Sequence, residues 1–452
     1  MRAKIVRRLA LDDFRSWENC IADFIPGINI LEGKNGLGKT NIVEAIEFLS
    51  IGTTHRVSSS LPLIRRGAAK GSVRALIQTS SQYSEKSESA KSESADFYSA
   101  ELESAKSEEV NLQATIFSRG ANRARINEEP SVYMKKIAGI LKTVVFSPDD
   151  KLIVSADPAK RRDFIDSVCI QLFDGYFDCL QKFSYIAKQR AALLKSIQKN
   201  LSENPNSAND RLSELEVWTS HFIDRGIELT FFRKKAAELI SPVFSRVYNV
   251  FSQENLGNEI EENTIENAKE QNAKIEYSPS FEEAIIFETE GKKRIKSEIS
   301  SHFARIYAGE ASRGRNLIGP HRDDLNIFLD GMTAREFASN GEKQTLALAL
   351  KIALFELLKS KGEEPVLIFD DVFSQLDDLR RRNITDYALK CGQVFITAAS
   401  KNDIPGEIIN QNSQKVNIIE VSSLISGGKE RSENEKTEEE RLAGMIKAER
   451  MQ

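Results

Sequence analysis

Cysteine is scarce in this chain of 452 residues: Cys20, Cys169, Cys179 and Cys391 lie scattered, with no close pair and no flanking histidines. That argues against a disulfide framework or a zinc site and suits a reducing cytoplasm. No apolar run approaches the roughly 18–20 residues that a membrane helix needs. The start, Met1-Arg2-Ala3-Lys4-Ile5-Val6-Arg7-Arg8, is basic, but no apolar core of the kind a signal peptide carries follows it. Strong charge of either sign is also missing. A formal net charge of −4 gives no global attraction to nucleic acid. A local basic face can still act, because screening confines its field to about 10 Å at 0.1 M salt. A sustained heptad repeat is absent as well, which argues against long coiled-coil arms.

What is present describes a globular protein, with 40% hydrophobic and 29% charged residues. The length exceeds one ordinary core, so two domains are expected. Near the N-terminus, Lys4 to Leu11 reads as an extended run and Gly27 to Glu32 as a short buried strand. From Lys39 onward, Ile42, Val43, Ile46 and Leu49 recur at helical spacing. Residues 80–109 are rich in Ser, Glu, Lys and Ala and contain the near-repeat Ser87 to Ala95. Two strand-like runs, Ser72 to Thr79 and Val110 to Phe117, flank them, so the segment reads as a solvated insert in a hairpin. A phosphoregulated segment is the lesser alternative. Residues 151–300 turn helical, interrupted by polar stretches near Asn200 to Asn209 and Glu254 to Lys274. From Ile306 the pattern returns to α/β, and 427–452 form a charged tail.

Four motifs carry chemistry. Gly33-Lys34-Asn35-Gly36-Leu37-Gly38-Lys39-Thr40 fits G-x-x-x-x-G-K-S/T between a strand and a helix, the context of a phosphate-cradling P-loop. Its glycines let successive N–H groups point at phosphate oxygens. Lys39 supplies positive charge to the β/γ-phosphates, Thr40 offers a hydroxyl to Mg2+, and the helix adds its N-terminal dipole. Pro365 to Asp371 is an apolar strand ending in two carboxylates, at the edge where ligands bind in parallel sheets. Asp370 would hold Mg2+ directly or through water, and Asp371 would polarise the attacking water.

Ser339-Asn340-Gly341-Glu342-Lys343-Gln344 leads into a helix and admits two compatible readings. Ser339 and Glu342 fit a capping box, and the same helix start is a ready anion site for a partner subunit's γ-phosphate. Gly319-Pro320-His321-Arg322-Asp323-Asp324 reads better as a plain polar loop, since His321, one of four histidines, has no visible metal partners. Basic clusters at Arg65-Arg66, Lys135-Lys136 and Lys160-Arg161-Arg162 are ordinary solvated faces or, in a DNA-binding ATPase, phosphate contacts.

Together these segments resemble the RecF family of bacterial DNA replication and repair proteins, ATPases of the ABC/structural-maintenance-of-chromosomes type. The resemblance runs through Asn29 to Ile46, Phe146 to Asp150, Arg161 to Asp166, Lys188-Gln189-Arg190, Gly319 to Leu325, Phe337 to Gln344 and Asp370 to Asp377. It implies an α/β, ABC-type split P-loop ATPase head with an inserted, mainly helical arm domain. The expected boundaries are 1–150 and 301–426 for the head, 80–109 for the insert, 151–300 for the arm and 427–452 for the tail.

The resemblance further implies an ATP-dependent homodimer, each nucleotide sandwiched between one subunit's P-loop and the other's Ser339 and Gly341. Lys39, Thr40 and Asp370 would bind ATP and Mg2+, Asp371 would support hydrolysis, and Ser374 to Asp377 would join the two sites. Thr397 falls where related ATPases place a γ-phosphate sensor. Arg65, Arg66, Arg161 and Arg162 are the DNA-binding candidates. The implied role is slow ATP hydrolysis as a release switch on duplex, single-stranded or gapped DNA. With RecO and RecR as partners, it would load recombinase during recombinational repair and the SOS response. Two positions depart from the family pattern: Glu342 stands where the signature has glutamine, and Gln375 where the connecting loop has glutamate. A DNA clamp in which hydrolysis is incidental is the second class. A membrane-transporter ATPase fits poorly, because a compact domain would separate the two nucleotide motifs by only about 100–150 residues.

Overall fold

A computed structural model describes residues 2–57, 59–81, 108–203, 212–252, 272–409 and 415–424. The chain divides into two compact units: Met1–Pro148 with Leu358–Gln452, and Asp149–Leu357 between them. Most of the Ser/Glu-rich insert, both polar stretches in large part and the charged tail lie outside the described residues.

The first unit contains two sheets. One is a five-stranded parallel sheet in the order Val416–Glu420, Gly27–Glu32, Gln393–Ala398, Val366–Asp370, Thr143–Phe146. Its central strands, Val366–Asp370 and Gln393–Ala398, are buried at every position. That accounts for their apolar runs, since a parallel strand is covered on both faces. The other sheet has seven strands built on the long strand Arg2–Phe14, which pairs with Trp17–Asp23, Lys70–Ser81 and Glu363–Glu364. Lys70–Ser81 and Glu108–Phe117 pair antiparallel from Lys70–Phe117 to Thr79–Glu108. The expected flanking strands are therefore a hairpin stem. Gln393 joins the two sheets by imitating backbone: its amide accepts from Val6 N at 2.8 Å and donates to Val6 O at 2.8 Å.

The second unit is mainly helical, with Pro158–Leu172, Tyr176–Glu203, Leu212–Ser252 and Lys292–Arg313 as its longer complete helices. One segment differs from the helical expectation. Ala273–Ser278 is a strand, pairing antiparallel with Asp324–Leu329. Ala273 and Ile275 are buried while Lys274 and Glu276 are exposed, a period of two that belongs to strands.

The segment Gly319 to Asp324 is not a plain loop. Pro320–Arg322 forms a tight 3-10 turn that delivers Asp323 into the interior at 1% exposure. There Arg233 donates to Asp166 at 2.8 and 3.1 Å, to Asp323 at 2.9 Å and to Pro320 O at 2.7 Å. The Tyr277 hydroxyl also donates to Asp323. Nearby, Arg161 clasps Asp324 with two bonds of 2.6 and 3.0 Å. A second buried knot joins Arg190 to Glu310 at 2.9 and 2.6 Å and to Asn316 at 2.7 Å. Arg161, Arg190, Arg233, Glu310 and Asp323 are buried, and each is paired, which is the condition under which burial is tolerated.

Candidate functional site

The P-loop begins where strand Gly27–Glu32 ends and closes as helix Lys39–Ile51 starts. The glycines supply conformations that side chains resist: φ is 88° at Gly36 and 94° at Gly38. Gly38 is also crowded, because a Cβ there would meet Trp17 Nε1 at 2.7 Å and Ser16 Oγ at 2.9 Å. At Gly36 nothing lies within 4 Å of a Cβ position, so the crest of the loop faces open space. Lys39 folds back over the loop between Gly33 and Asn35. Its ammonium donates to Gly33 O at 2.5 Å, Lys34 O at 3.2 Å and Asn35 Oδ1 at 3.4 Å. Burial pulls the Lys39 pKa down, opposed by the charges of Asp371 and Asp370.

Sheet order brings the second motif to the same place. Strand Gln393–Ala398 lies between Gly27–Glu32 and Val366–Asp370, and all three run parallel, so their C-terminal ends share one edge. Asp370 Oδ1 accepts the Thr40 hydroxyl at 2.9 Å and the Thr397 hydroxyl at 2.8 Å. Thr397 Oγ1 in turn accepts the Asp371 N–H at 2.9 Å. Burial pushes the Asp370 carboxyl above the usual carboxylate range, against the pull of the Thr397 and Thr40 hydroxyls. Asp371 is exposed with a left-handed φ of 54°, and Ser374 Oγ bonds its carbonyl and carboxylate at 3.2 Å. Thus Lys39, Thr40, Asp370, Asp371 and Thr397 converge within one unit.

Other sequence candidates lie elsewhere. Ser339 and Gly341 belong to the second unit, at the start of helix Asn340–Ser360. Ser339 N donates to Glu342 Oε2 at 2.7 Å and Glu342 N to Ser339 Oγ at 3.2 Å, the reciprocal capping box. In the first unit, Arg65 pairs with Asp13 at 2.6 Å and approaches Glu18 at 3.8 Å, while Arg66 is exposed. In the second, Arg161 is 4% exposed and committed to Asp324, and Arg162 donates to Asp323 O at 2.9 Å. Of these two DNA-binding candidates, buried pairing turns the Arg161 guanidinium inward, whereas Arg162 is only partly buried.

One residue at the site carried no signal in sequence. His55 Nε2 lies 3.9 Å from Asp370 Oδ2, and its Nδ1 is 2.7 Å from Glu47 Oε2. The helix that carries Glu47 ends at Ile51, before His55, so spacing along the chain does not pair the two and only the folded loop reveals them.

A strand, a glycine-rich loop and a helix beside a hydroxyl-buttressed carboxylate at a parallel sheet edge define the class. It is a P-loop ATPase head of the ABC type, encoded in two segments around a helix-rich unit. The model of the RecF/RecN/SMC N-terminal domain family matches residues 5–422. The DNA replication and repair protein RecF of Bifidobacterium adolescentis is 42% identical over 427 residues, spanning 94% of this chain and 93% of that protein. Its counterpart in Bifidobacterium longum subsp. infantis is 43% identical over 401 residues, spanning 88% and 86%. The solved structure of the recombination mediator protein RecF-ATP in the RecFOR pathway is 25% identical and superposes with a TM-score of 0.65, covering 89% of this chain and 96% of that one. A second RecF structure, RecF-ATPrS, shares the fold with a TM-score of 0.69 at 24% identity, covering 91% and 97%. The chain belongs to the RecF family of DNA replication and repair proteins.

Proposed function

We propose that this chain binds ATP with Mg2+ at the Gly33–Thr40 loop and hydrolyses it to control its hold on DNA during replication and repair. The observation that carries the reading is the Thr40–Asp370–Thr397 cluster beside the P-loop. The Thr40 and Thr397 groups that hydrogen-bond to this buried carboxylate are neutral hydroxyls, and a hydroxyl beside a carboxylate is the oxygen donor set Mg2+ takes. Lys39 rests on loop carbonyls close to where phosphates would lie. The open space above Gly36 suits an approaching anion. The site therefore fits both groups.

In this reading the loop amides from Lys34 to Thr40 and the helix start orient the polyphosphate, and Lys39 neutralises it. Thr40 and Asp370 hold Mg2+, which when bound would draw charge from the phosphate oxygens. Asp371 holds and polarises the attacking water, and Thr397 aligns it by accepting the Asp371 N–H. Ser339 and Gly341 complete the site from a second copy in an ATP-dependent homodimer. Residues 1–150 and 301–426 then act as the head and 151–300 as the arm, with 301–357 carrying the in-trans motif. Arg65 and Arg66, with support from Arg162, contact DNA phosphates. Slow, DNA-dependent turnover serves as the release step, in the cytoplasm, with RecO and RecR family proteins as partners in recombinase loading and the SOS response.

The test is turnover of the native chain and of Asp371→Asn with gapped DNA. The variant should bind ATP near-normally and lose about 10²–10⁴-fold in hydrolysis. If DNA then dissociates at the native rate with ATP present, hydrolysis is incidental and the clamp reading replaces the switch.

A further inference from the structure

The P-loop helix carries two buried glutamates, Glu44 at 0% and Glu47 at 5% exposure. A buried carboxylate is costly unless paired, so each must serve some partner. Glu44 accepts two bonds from Arg15, at 2.8 and 2.5 Å, and one from the Thr54 hydroxyl at 2.9 Å. Glu47 Oε2 accepts the His55 backbone N–H at 3.0 Å and faces His55 Nδ1 at 2.7 Å. Thr54 and His55 are neighbours in the segment that leaves the helix through Gly52, whose φ is 71°. Both carboxylates therefore pull the same short segment back onto the helix that made them.

That clamp sets the orientation of one ring. A carboxylate only accepts, so Nδ1 of His55 carries the proton and donates it to Glu47. Nε2 is left as an acceptor, facing Asp370 Oδ2 across 3.9 Å, beyond hydrogen-bond reach, with the imidazole side chain 12% exposed. The opposite oxygen, Oδ1, is the one that Thr40 and Thr397 hold. Asp370 is thus gripped by hydroxyls on one edge and met by an oriented imidazole on the other. Outer groups that hydrogen-bond to a metal's ligands, water included, are worth about 10–100-fold in metal affinity.

We propose that His55, clamped by Glu47, is a positioning residue for the Mg2+ site of Thr40 and Asp370. This rests on the nucleotide reading above. His55 acts beside Asp370: its Nε2 lone pair can accept from a water ligand of the cation, and so orients the hydration shell next to the carboxylate.

Mn2+ binding, followed by electron paramagnetic resonance with ADP present, tests it on the full chain. His55→Ala and Glu47→Gln should each weaken Mn2+ by about 10-fold or more. Both should bind ADP in EDTA as the native chain does, and His55→Gln should recover part of the loss. Because Glu47→Gln keeps the shape of the side chain, it reads the clamp even if His55→Ala folds poorly. Mn2+ affinity within twofold of native in folded variants overturns the proposal alone. A native chain that binds neither ADP nor Mn2+ overturns the nucleotide reading, and the proposal with it.

Discussion

Thr397 has one oxygen and two duties, donating to Asp370 and accepting from the Asp371 N–H. Thr397→Val keeps the shape and removes both bonds, leaving a buried carboxylate with one hydroxyl fewer. Such a loss costs about 1–3 kcal/mol, and ATP turnover should fall by roughly 10–100-fold with Mg2+-free nucleotide affinity unchanged. Equal turnover in the variant and the native chain would remove Thr397 from the site.

His321 makes a second residue-scale prediction. Burial pushes its imidazole from 6.5 down to about 4, with Phe183 and Phe222 rings alongside. The unfolded chain takes up the proton first, so stability is full above about pH 6.5 and falls as pH drops towards 4. The contribution is on the order of 3 kcal/mol. Urea unfolding of the native chain and His321→Gln at pH 7.5 and 5 should show the steeper acid loss only in the native chain.

At the scale of elements, the start of helix Asn340–Ser360 resolves what the glutamate at 342 does. The Ser339 N–H and then its hydroxyl hold the Glu342 carboxyl below its usual range. The carboxylate is committed to the cap. A group with a depressed folded pKa stabilises above the unfolded value, here 4.5, and loses that contribution as pH falls below it. Ser339→Ala should cost about 1 kcal/mol, seen as a melting shift of roughly 2–4 °C for a unit of this size. Glu342→Gln should shift it less, because the amide oxygen still accepts.

The loop element is less forgiving. Gly38→Ala combines a left-handed φ with a clash on Trp17, whose Nε1 donates to Gly38 O at 3.2 Å. Isothermal titration should find ATP binding lost in a chain that still folds. Retained affinity would mean that the loop can re-form around a side chain.

At the scale of the whole molecule, the proposed function requires the two motif sets to be completed by association. Sedimentation should show an ATP-induced dimer for the native chain and a monomer for Lys39→Ala. A native monomer in every condition would sink the composite site. DNA affinity should drop steeply with salt, and Arg66→Ala should lower that salt slope by about 1. Arg65→Ala should do less, since Arg65 is already paired with Asp13.

The Gly33–Thr40 loop, the strand ending in Asp370 and the capping box at Ser339 were legible in sequence because each is a local device. Glycine conformations, apolar runs and S-x-x-E spacing act within a few residues of themselves. Tertiary structure alone decided the rest. It placed Thr40, 330 residues from Asp370, on the same carboxylate. It turned Arg161 inward, made Asp323 a buried counter-ion of Arg233, and brought His55 beside Asp370. The reason is physical: a charged side chain takes its role from the partner that burial gives it, and no spacing along the chain names that partner.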